Sequence, residues 1–150
     1  MKLSTRGRYA TRALLDIALH QEEGPVRLKD IAERQRISLQ YLEHLVTPLI
    51  AGGIVRSVRG PRGGVLLARL PEKITLCEVI QLVEGPIAPV ECVSDPSACD
   101  RSRICATRAV WGEMKTAIEK ILTSNTIRDL MKRQQQIEEP ESAISSLLDR

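Results

Sequence analysis

Three of the four cysteines in the chain lie in one short polar segment. Six residues separate Cys92 from Cys99, and five separate Cys99 from Cys105. A thiolate is a soft ligand, so three thiols in one segment can hold a metal centre without help from distant parts of the chain. Disulfides are rare in the cytoplasm, where clustered cysteines more often indicate metal or redox chemistry. We therefore predict that this segment carries a metal centre or a thiol switch.

The cysteine spacing by itself leaves three kinds of site open. An iron–sulfur cluster takes four ligands, of which the segment supplies three. Structural zinc also takes four, commonly with Cys-x-x-Cys pairs, which this sequence lacks. A thiol switch needs only two cysteines. The remaining cysteine, Cys77, stands in an apolar helical pattern and is expected to be buried as a small hydrophobic residue.

Composition and charge narrow the class of protein. The chain has 150 residues and 43% apolar residues, which is ordinary for a globular protein. No apolar run approaches the roughly 20 residues that a membrane helix needs, and the amino end lacks a signal-peptide pattern, so we expect a cytoplasmic protein with no membrane partner. Net charge is +6 over residues 1–70 and −3 over residues 71–150, which makes the total of +3. A basic first half favours a polyanionic partner.

The pattern of residues 1–70 predicts a winged helix-turn-helix. Apolar residues at helical spacing predict helices over residues 9–19 and 28–34, and a tight turn leads to a third helix beginning at Leu39 with Ser38 as its N-cap. Pro48 is expected to kink or end that third helix one turn early. Two strand-like runs, residues 54–58 and 65–68, flank a cationic turn and predict a two-stranded wing. The residues of the third helix expected to face inward are Leu39, Leu42, Leu45, Val46 and Leu49.

The pattern of residues 71–150 predicts mainly helices. Thr75 and Glu78 form a capping box that opens a helix, and Gly85-Pro86 ends it. The cysteine loop follows over residues 87–103. The predicted elements after it are a long amphipathic helix over residues 105–123, a short helix from Thr126, and an acidic, proline-broken, mobile tail. The predicted organisation is a DNA-binding region over residues 1–70, a helical cluster-binding and dimerisation region over residues 71–136, and the tail over residues 137–150.

Several of these motifs occur together in one known family. The residues that carry the likeness are Leu3 to Ala10, Asp30 to Arg34, Ile37 to Glu43, Val58 to Gly64, the three clustered cysteines and Trp111. With them the chain resembles the iron–sulfur cluster regulator (IscR-like) family of winged helix-turn-helix transcription regulators, over about residues 1–131. The resemblance implies a mainly α fold and a homodimer built on the long helix. It also implies binding to near-palindromic double-stranded DNA.

The resemblance further favours a [2Fe–2S] or [4Fe–4S] cluster on Cys92, Cys99 and Cys105. Two positions depart from the family. Arg108 stands where some members supply a histidine ligand, and Arg8 stands where the nitric-oxide-sensing branch supplies an aspartate. The remaining candidates for a fourth ligand are Glu91, Asp95, Asp100, Cys77, an exogenous thiol or water.

The DNA-contacting residues are predicted from the helix-turn-helix and the wing. Gln can pair with adenine and Glu can accept from cytosine, so Gln40 and Glu43 are expected to read bases, with His44 beside them. Ser38 and Tyr41 suit phosphate contacts. Arg59, followed by Gly60 at the wing tip, suits a narrow minor groove, and Arg62 adds a second wing cation.

These features predict a cluster-responsive DNA-binding repressor. The alternative on the same scaffold is a repressor without a cluster, controlled by thiol redox state or by a partner protein. An enzyme is not expected, because the sequence has no Cys-x-x-Cys motif and no phosphate-cradling loop; the glycine-rich turn at residues 60–64 lacks the Lys-Ser/Thr of a nucleotide site.

Overall fold

The computed structural model describes the backbone of residues 2–148 and the side chains of residues 2–139. Within that range the chain is mainly helical, with one two-stranded antiparallel sheet, and the predicted winged helix-turn-helix class is confirmed. The elements in chain order are α1 (Thr5–His20), α2 (Leu28–Gln35), α3 (Leu39–Ala51), β1 (Val55–Val58), β2 (Gly64–Leu67), α4 (Leu76–Glu84), α5 (Glu91–Ser94), α6 (Ala106–Ser124) and α7 (Ile127–Leu148).

The first helix begins one turn before the apolar stripe does. Ser4 is its N-cap, and the Ser4 hydroxyl oxygen accepts the Gly7 amide. The predicted start at residue 9 was too late because the opening turn is polar and carries no stripe residue. The stripe itself forms the centre of the core, where Ala10, Ala13, Leu14 and Ile17 are fully buried.

The third helix runs through Pro48 and ends at Ala51, so the predicted early end was wrong. A proline inside a helix removes a backbone donor and costs roughly 3 kcal/mol. Leu49, on the far side of the proline, is fully buried, and burial of such a side chain contributes about 1.5–3 kcal/mol. Val46 is buried on the same face, so packing on both sides of the proline offsets its cost. Leu39 is 42% exposed rather than inward-facing, because it is the first residue of the helix and precedes the packed turn.

The wing forms as predicted, with Val55 paired to Leu67 and Val58 paired to Gly64. Val65 also forms a bridge with Val26 in the segment before α2, with both backbone hydrogen bonds made. The end of the wing next to its turn is therefore held against the segment that precedes α2.

One hydrophobic core crosses the predicted junction at Pro71. Helix α4 packs against α1 and α3, and Val79 and Val83 belong to the same buried cluster as Leu14. The division into regions at this point stays a prediction. The predicted helix start is confirmed with Thr75 as its N-cap, since the Thr75 hydroxyl oxygen accepts the Glu78 amide. The Glu78 carboxylate accepts from Arg69 and makes no described hydrogen bond to the Thr75 amide, so only half of the capping box forms.

The last helix is longer than the short helix predicted from Thr126. Asp129 accepts the amide and hydroxyl of Thr126, which caps the start, and the helical backbone continues past the acidic segment to Leu148. The side chains of Ile144, Leu147 and Leu148, which were expected to dock weakly, lie outside the described residues. No described helix combines the length and apolar character needed to cross a membrane.

Candidate nucleic-acid interface and cysteine loop

The amino end of α3 presents a polar surface backed by a buried one. The Ser38 hydroxyl oxygen accepts the Tyr41 amide at 3.1 Å, which satisfies a free donor of the first turn and fixes where the helix begins. Behind it, Leu42 and Leu45 are buried. The predicted base-reading and phosphate-contacting residues that are exposed on this side are Ser38, Gln40, Glu43 and His44.

Tyr41, the remaining predicted contact on α3, is half-buried against α1. Its ring meets the Tyr9 ring edge to face, with centroids 6.1 Å apart. The guanidinium of Arg12 lies over the Tyr9 ring, 5.0 Å from its centroid. Such contacts each contribute about 0.5–1.5 kcal/mol, so α1 holds the start of α3, the predicted DNA-reading helix, in place.

The turn between α2 and α3 is tied to α1 by a polar network that the sequence did not reveal. Arg12 donates to the carbonyl of Gln35 at 2.8 Å and to its side-chain oxygen at 3.0 Å. The buried Asp16 carboxylate accepts from Arg34 and from the Gln35 amide. Arg36 then turns the chain in the left-handed region, with φ of 55°. The only sequence signal was a carboxylate next to the apolar stripe of the first helix.

The wing tip carries the predicted cations. Arg59, Gly60 and Arg62 are all exposed, and Gly60 has φ of 113°, a conformation that favours glycine. Arg27, at the start of α2, donates to the Pro61 carbonyl at 3.4 Å, a contact that sequence reasoning missed. The tip is thus a cationic turn at the end of the two strands, and it also contacts Arg27 at the start of α2.

The cysteine loop is shaped by its own polar side chains. Within it, α5 and a short 3-10 turn (Pro96–Ala98) precede Ser102, which is buried. The Ser102 hydroxyl lies within hydrogen-bond distance of the carbonyl oxygens of Pro96 and Cys99. Asp95 accepts the hydroxyl and amide of Ser97, and these hydrogen bonds lower the pKa of its carboxyl. The backbone around Cys99 is therefore held in a defined turn.

The three loop cysteines are free thiols with access to solvent. Cys99 is exposed, Cys92 and Cys105 are partly exposed, and Cys77 is buried as expected. Cys105 is the N-cap of α6, and its sulfur lies 3.1 Å from the Thr107 hydroxyl. That contact, the backbone N–H groups of Arg108 and Thr107, and the charge of Arg101 lower the pKa of the Cys105 thiol.

Arg108 has a structural role in the cysteine loop. Its Nε donates to the Cys92 carbonyl at 2.8 Å, which fastens the start of the loop to the first turns of α6. The loop thus joins α6 to α4, which packs on the reading head formed by α1, α2, α3 and the wing. It is fastened to α6 by the Arg108 contact at Cys92 as well as by the chain itself at Cys105.

The loop has donors that suit an iron–sulfur cluster but does not hold them in a cluster-binding arrangement. The donor set is suitable, because three thiols with nearby arginines match the softness and negative charge of a thiolate-bound cluster. The geometry is not assembled, because among the described residues no three cysteine, histidine or acidic side chains are grouped closely enough to hold a metal ion. Loading therefore requires the loop to change shape.

Helix α6 contributes no residue to the buried core of the chain. None of its 19 residues, all of them in the described part of the chain, is buried, and Val110 and Ile121 are more than half exposed. Within the predicted stripe, Met114, Ile118 and Leu122 are partly buried, and Ile118 and Leu122 line a groove together with Ile80 of α4. Val110, Ala117 and Ile121 are exposed and form an apolar face open to a partner.

Comparison with known proteins assigns the family. The sequence model of Rrf2, described as an iron-dependent transcriptional regulator, matches residues 3–133. The chain belongs to the Rrf2 family. Its relatives are named transcription regulators of the helix-turn-helix type, so the predictions of a DNA-binding regulator and of a protein that is not an enzyme are confirmed.

Relatives within the Rrf2 family are similar over most of their length. The chain is 46% identical to the protein rrf2 of Nitratidesulfovibrio vulgaris over 132 residues, 88% of each chain. It is 44% identical to the transcriptional regulator IscR of Xenorhabdus nematophila over 135 residues, covering 90% of this chain and 82% of that one. The resemblance to the IscR-like regulators is thereby confirmed.

Solved structures of Rrf2-family members share the fold. The IscR of T. potens superposes with a TM-score of 0.76 at 39% identity and covers 91% of this chain and 90% of its own. The global cysteine regulator CymR of B. subtilis superposes with a TM-score of 0.75 at 38% identity and covers 89% of this chain and 98% of its own. The chain is thus about as similar to a cysteine regulator as to an IscR.

Proposed function

We propose that this Rrf2-family regulator is a cytoplasmic homodimeric repressor whose affinity for a near-palindromic operator responds to an iron–sulfur cluster on Cys92, Cys99 and Cys105. The observation that carries the proposal is the position of the cysteine loop. It holds three free thiols and directly links the helix that packs on the DNA-reading head to the helix with the exposed apolar face.

The DNA-binding part of the proposal uses the exposed end of α3 and the wing tip. Gln40, Glu43 and His44 face solvent together, as a helix entering the major groove requires. Arg59 and Arg62 project from the adjacent wing toward the neighbouring groove and phosphates. Ser38 and Tyr41 lie at the start of the same helix, where they suit contacts with the DNA phosphates. Gly60 provides the turn at the wing tip.

The dimer part rests on the unburied stripe of α6. Val110, Ala117 and Ile121 leave an apolar face of this 19-residue helix exposed in the single chain. A second copy placed by two-fold symmetry buries both stripes at once. It also sets two reading heads at a fixed spacing, which a near-palindromic site needs.

The sensing part follows from how the loop is fastened. A bound cluster would supply thiolate-ligated iron that fixes the three cysteine positions relative to one another. Because the Cys92 carbonyl is held by Arg108 of α6, and the loop begins at the end of α4, any change of loop shape acts on both helices. A change in DNA affinity requires only that the two loop shapes place the heads differently.

A regulator without a cluster is the second candidate, and one observation favours it. The three loop thiols are separate and reach solvent, and the pKa of Cys105 is lowered, as suits a redox-responsive thiol. Similarity to CymR is of the same order as similarity to IscR. In this case oxidation of the thiols, or a partner protein, would set operator affinity.

Anaerobic purification separates the candidates. We expect visible absorption bands with iron and sulfide in the dimer, and loss of both in Cys99→Ser. Cys77→Ala is the matched control: Cys77 is one candidate for the fourth ligand, but it is buried in α4, so we expect its loss to leave the colour. Zinc in place of iron, or a colourless protein under every oxygen-free preparation, would overturn the cluster assignment.

Operator binding by the loaded and cluster-free protein tests the switch. We expect affinities that differ for at least one operator, measured by fluorescence anisotropy at one salt concentration. Equal affinity of the two forms for every operator would leave the protein a DNA-binding regulator with no cluster-dependent switch.

A further inference from the structure

The start of α1 and the end of α4 share one carboxylate. Oε1 of Glu84 accepts the Ser4 hydroxyl at 2.5 Å and the Gly7 amide at 3.0 Å. Ser4 is the N-cap of α1, and the Gly7 amide is one of the donors that the first turn leaves free. A carboxylate at this point also interacts favourably with the positive end of the helix dipole. Glu84 therefore caps a helix that begins 80 residues away in sequence.

Gly7 makes this approach possible. A Cβ at position 7 would lie 2.2 Å from Oε1 of Glu84 and 3.0 Å from the end of Ile80. Gly7 is helical and does not need glycine for its backbone angles, since it is absent from the positive-φ residues. What requires glycine here is the close contact with α4.

The opening turns of α1 also touch the DNA-reading helix. Two residues after Gly7, the Tyr9 ring packs edge to face on Tyr41, in the first turn of α3. Arg12, one turn further, holds Gln35 just before the turn into α3. The segment from Ser4 to Arg12 is thus fixed by α4 on one side and bears on the reading helix on the other.

We propose that Glu84 is a positioning residue for operator reading. Its carboxylate sets the first turn of α1, and α1 in turn sets Tyr9 against Tyr41 at the start of α3. The proposal rests on the DNA-reading surface described under the proposed function. Glu84 itself does not contact DNA and acts through α1.

Glu84 is also the last residue of α4 before the cysteine loop. Gly85 follows with φ of 87°, and Pro86 and Ile87 lead into the loop. A groove of about 270 Å³ joins this point to the amino end of the chain and to Ile118 of α6. Glu84 is therefore the residue at which the loop and the reading head meet.

Two substitutions at position 84 test the role. Glu84→Ala removes the acceptor, whereas Glu84→Gln keeps a side-chain oxygen that can accept from Ser4 and Gly7. We expect Glu84→Ala to lose about tenfold in operator affinity, the effect of one lost contact, and Glu84→Gln to stay close to wild type. Affinity for a scrambled duplex of equal length should not fall, because phosphate contacts are untouched. Glu22→Ala, an exposed glutamate after α1, controls for the change in charge.

Position 7 provides a second test that does not weaken the helix. Gly7→Ala raises helix propensity but forces Glu84 away, so we expect thermal stability to be kept while operator affinity falls as in Glu84→Ala. In the double variant the clash with Glu84 is gone, so the two losses should not add. The Gly7 amide resonance should shift in Glu84→Ala and remain near its wild-type position in Glu84→Gln.

The outcomes separate this role from the proposed function. Wild-type protein that fails to distinguish operator from scrambled DNA would refute the reading surface itself. A discriminating wild type with an unchanged Glu84→Ala, or with losses at positions 7 and 84 that add, would overturn the positioning role alone. An equal loss for both duplexes would also overturn it, because that pattern indicates general destabilisation.

Discussion

Arg34 of α2 places two donors on the buried carboxylate of Asp16 in α1, with Nε 3.0 Å from Oδ2 and Nη2 2.6 Å from Oδ1. The carboxylate is 1% exposed, while the Arg34 side chain is 37% exposed. The hydrogen bond with Asp16 raises the pKa of Arg34, so the guanidinium is charged at every accessible pH. The pair joins α1 and α2. Its carboxylate is shielded from water, whereas its guanidinium is partly exposed.

This asymmetry predicts unequal costs of truncation. Arg34→Ala leaves the Asp16 carboxylate buried without its charged partner, and we expect a loss of roughly 2–3 kcal/mol in the free energy of unfolding. Asp16→Ala leaves a guanidinium that water can reach, so we expect a smaller loss of about 1–2 kcal/mol. Urea unfolding at pH 7 measures both. The reverse order would show that packing around position 16 outweighs the charge.

The two wing cations are expected to act on different parts of DNA. If Arg59 enters a narrow A·T-rich minor groove, Arg59→Ala should cost about tenfold in operator affinity and weaken the preference for A·T pairs there. Arg62→Ala should weaken operator and scrambled DNA alike and lower the salt dependence by about one phosphate contact. Anisotropy titrations at several salt concentrations measure both effects. Unchanged operator affinity of Arg59→Ala at matched salt would refute the wing assignment.

The exposed face of α6 predicts a dimer that one charge disrupts. Ile121 is 62% exposed in the chain by itself. Ile121→Glu should therefore leave the helix content of each chain unchanged, yet give a monomer in sedimentation experiments, because a carboxylate buried at an apolar interface is costly. Thr116→Glu is the matched control, since Thr116 is exposed on the opposite side of the same helix. A dimeric Ile121→Glu would place the interface elsewhere.

The pKa of Cys105 predicts the pH dependence of its reactivity in metal-free protein. The Thr107 hydroxyl is the largest cause of the lowered pKa, ahead of the backbone N–H groups and the charge of Arg101. A lowered pKa means more thiolate at neutral pH and faster alkylation. In a variant with Cys105 as its single cysteine, Thr107→Val should move the midpoint of alkylation rate against pH upward, and Arg101→Ala should move it less. A midpoint that is the same with and without Thr107 would contradict this account.

Local patterns along the chain were sufficient for most of the architecture. The apolar stripe of α1 repeats every three or four residues, and the Ser38 cap, the Thr75 cap and the glycine-rich wing turn each act over a similar distance, so sequence alone determines them. The order of the motifs, with the three clustered cysteines among them, likewise indicates the family from sequence alone.

Tertiary packing decided the features that depend on distant partners. Helix α3 continues through Pro48 because the core on both sides of it is buried, which helix propensity cannot anticipate. The bond from Gly7 to Glu84 spans 77 residues, and the bond from Arg108 to Cys92 spans 16. Such pairs have no local signature, since they form only when whole helices have packed. The sequence therefore determined where most of the helices begin and which thiols and cations are available for chemistry, while packing determined that α3 continues past Pro48 and how the reading head, the cysteine loop and α6 are fastened to one another.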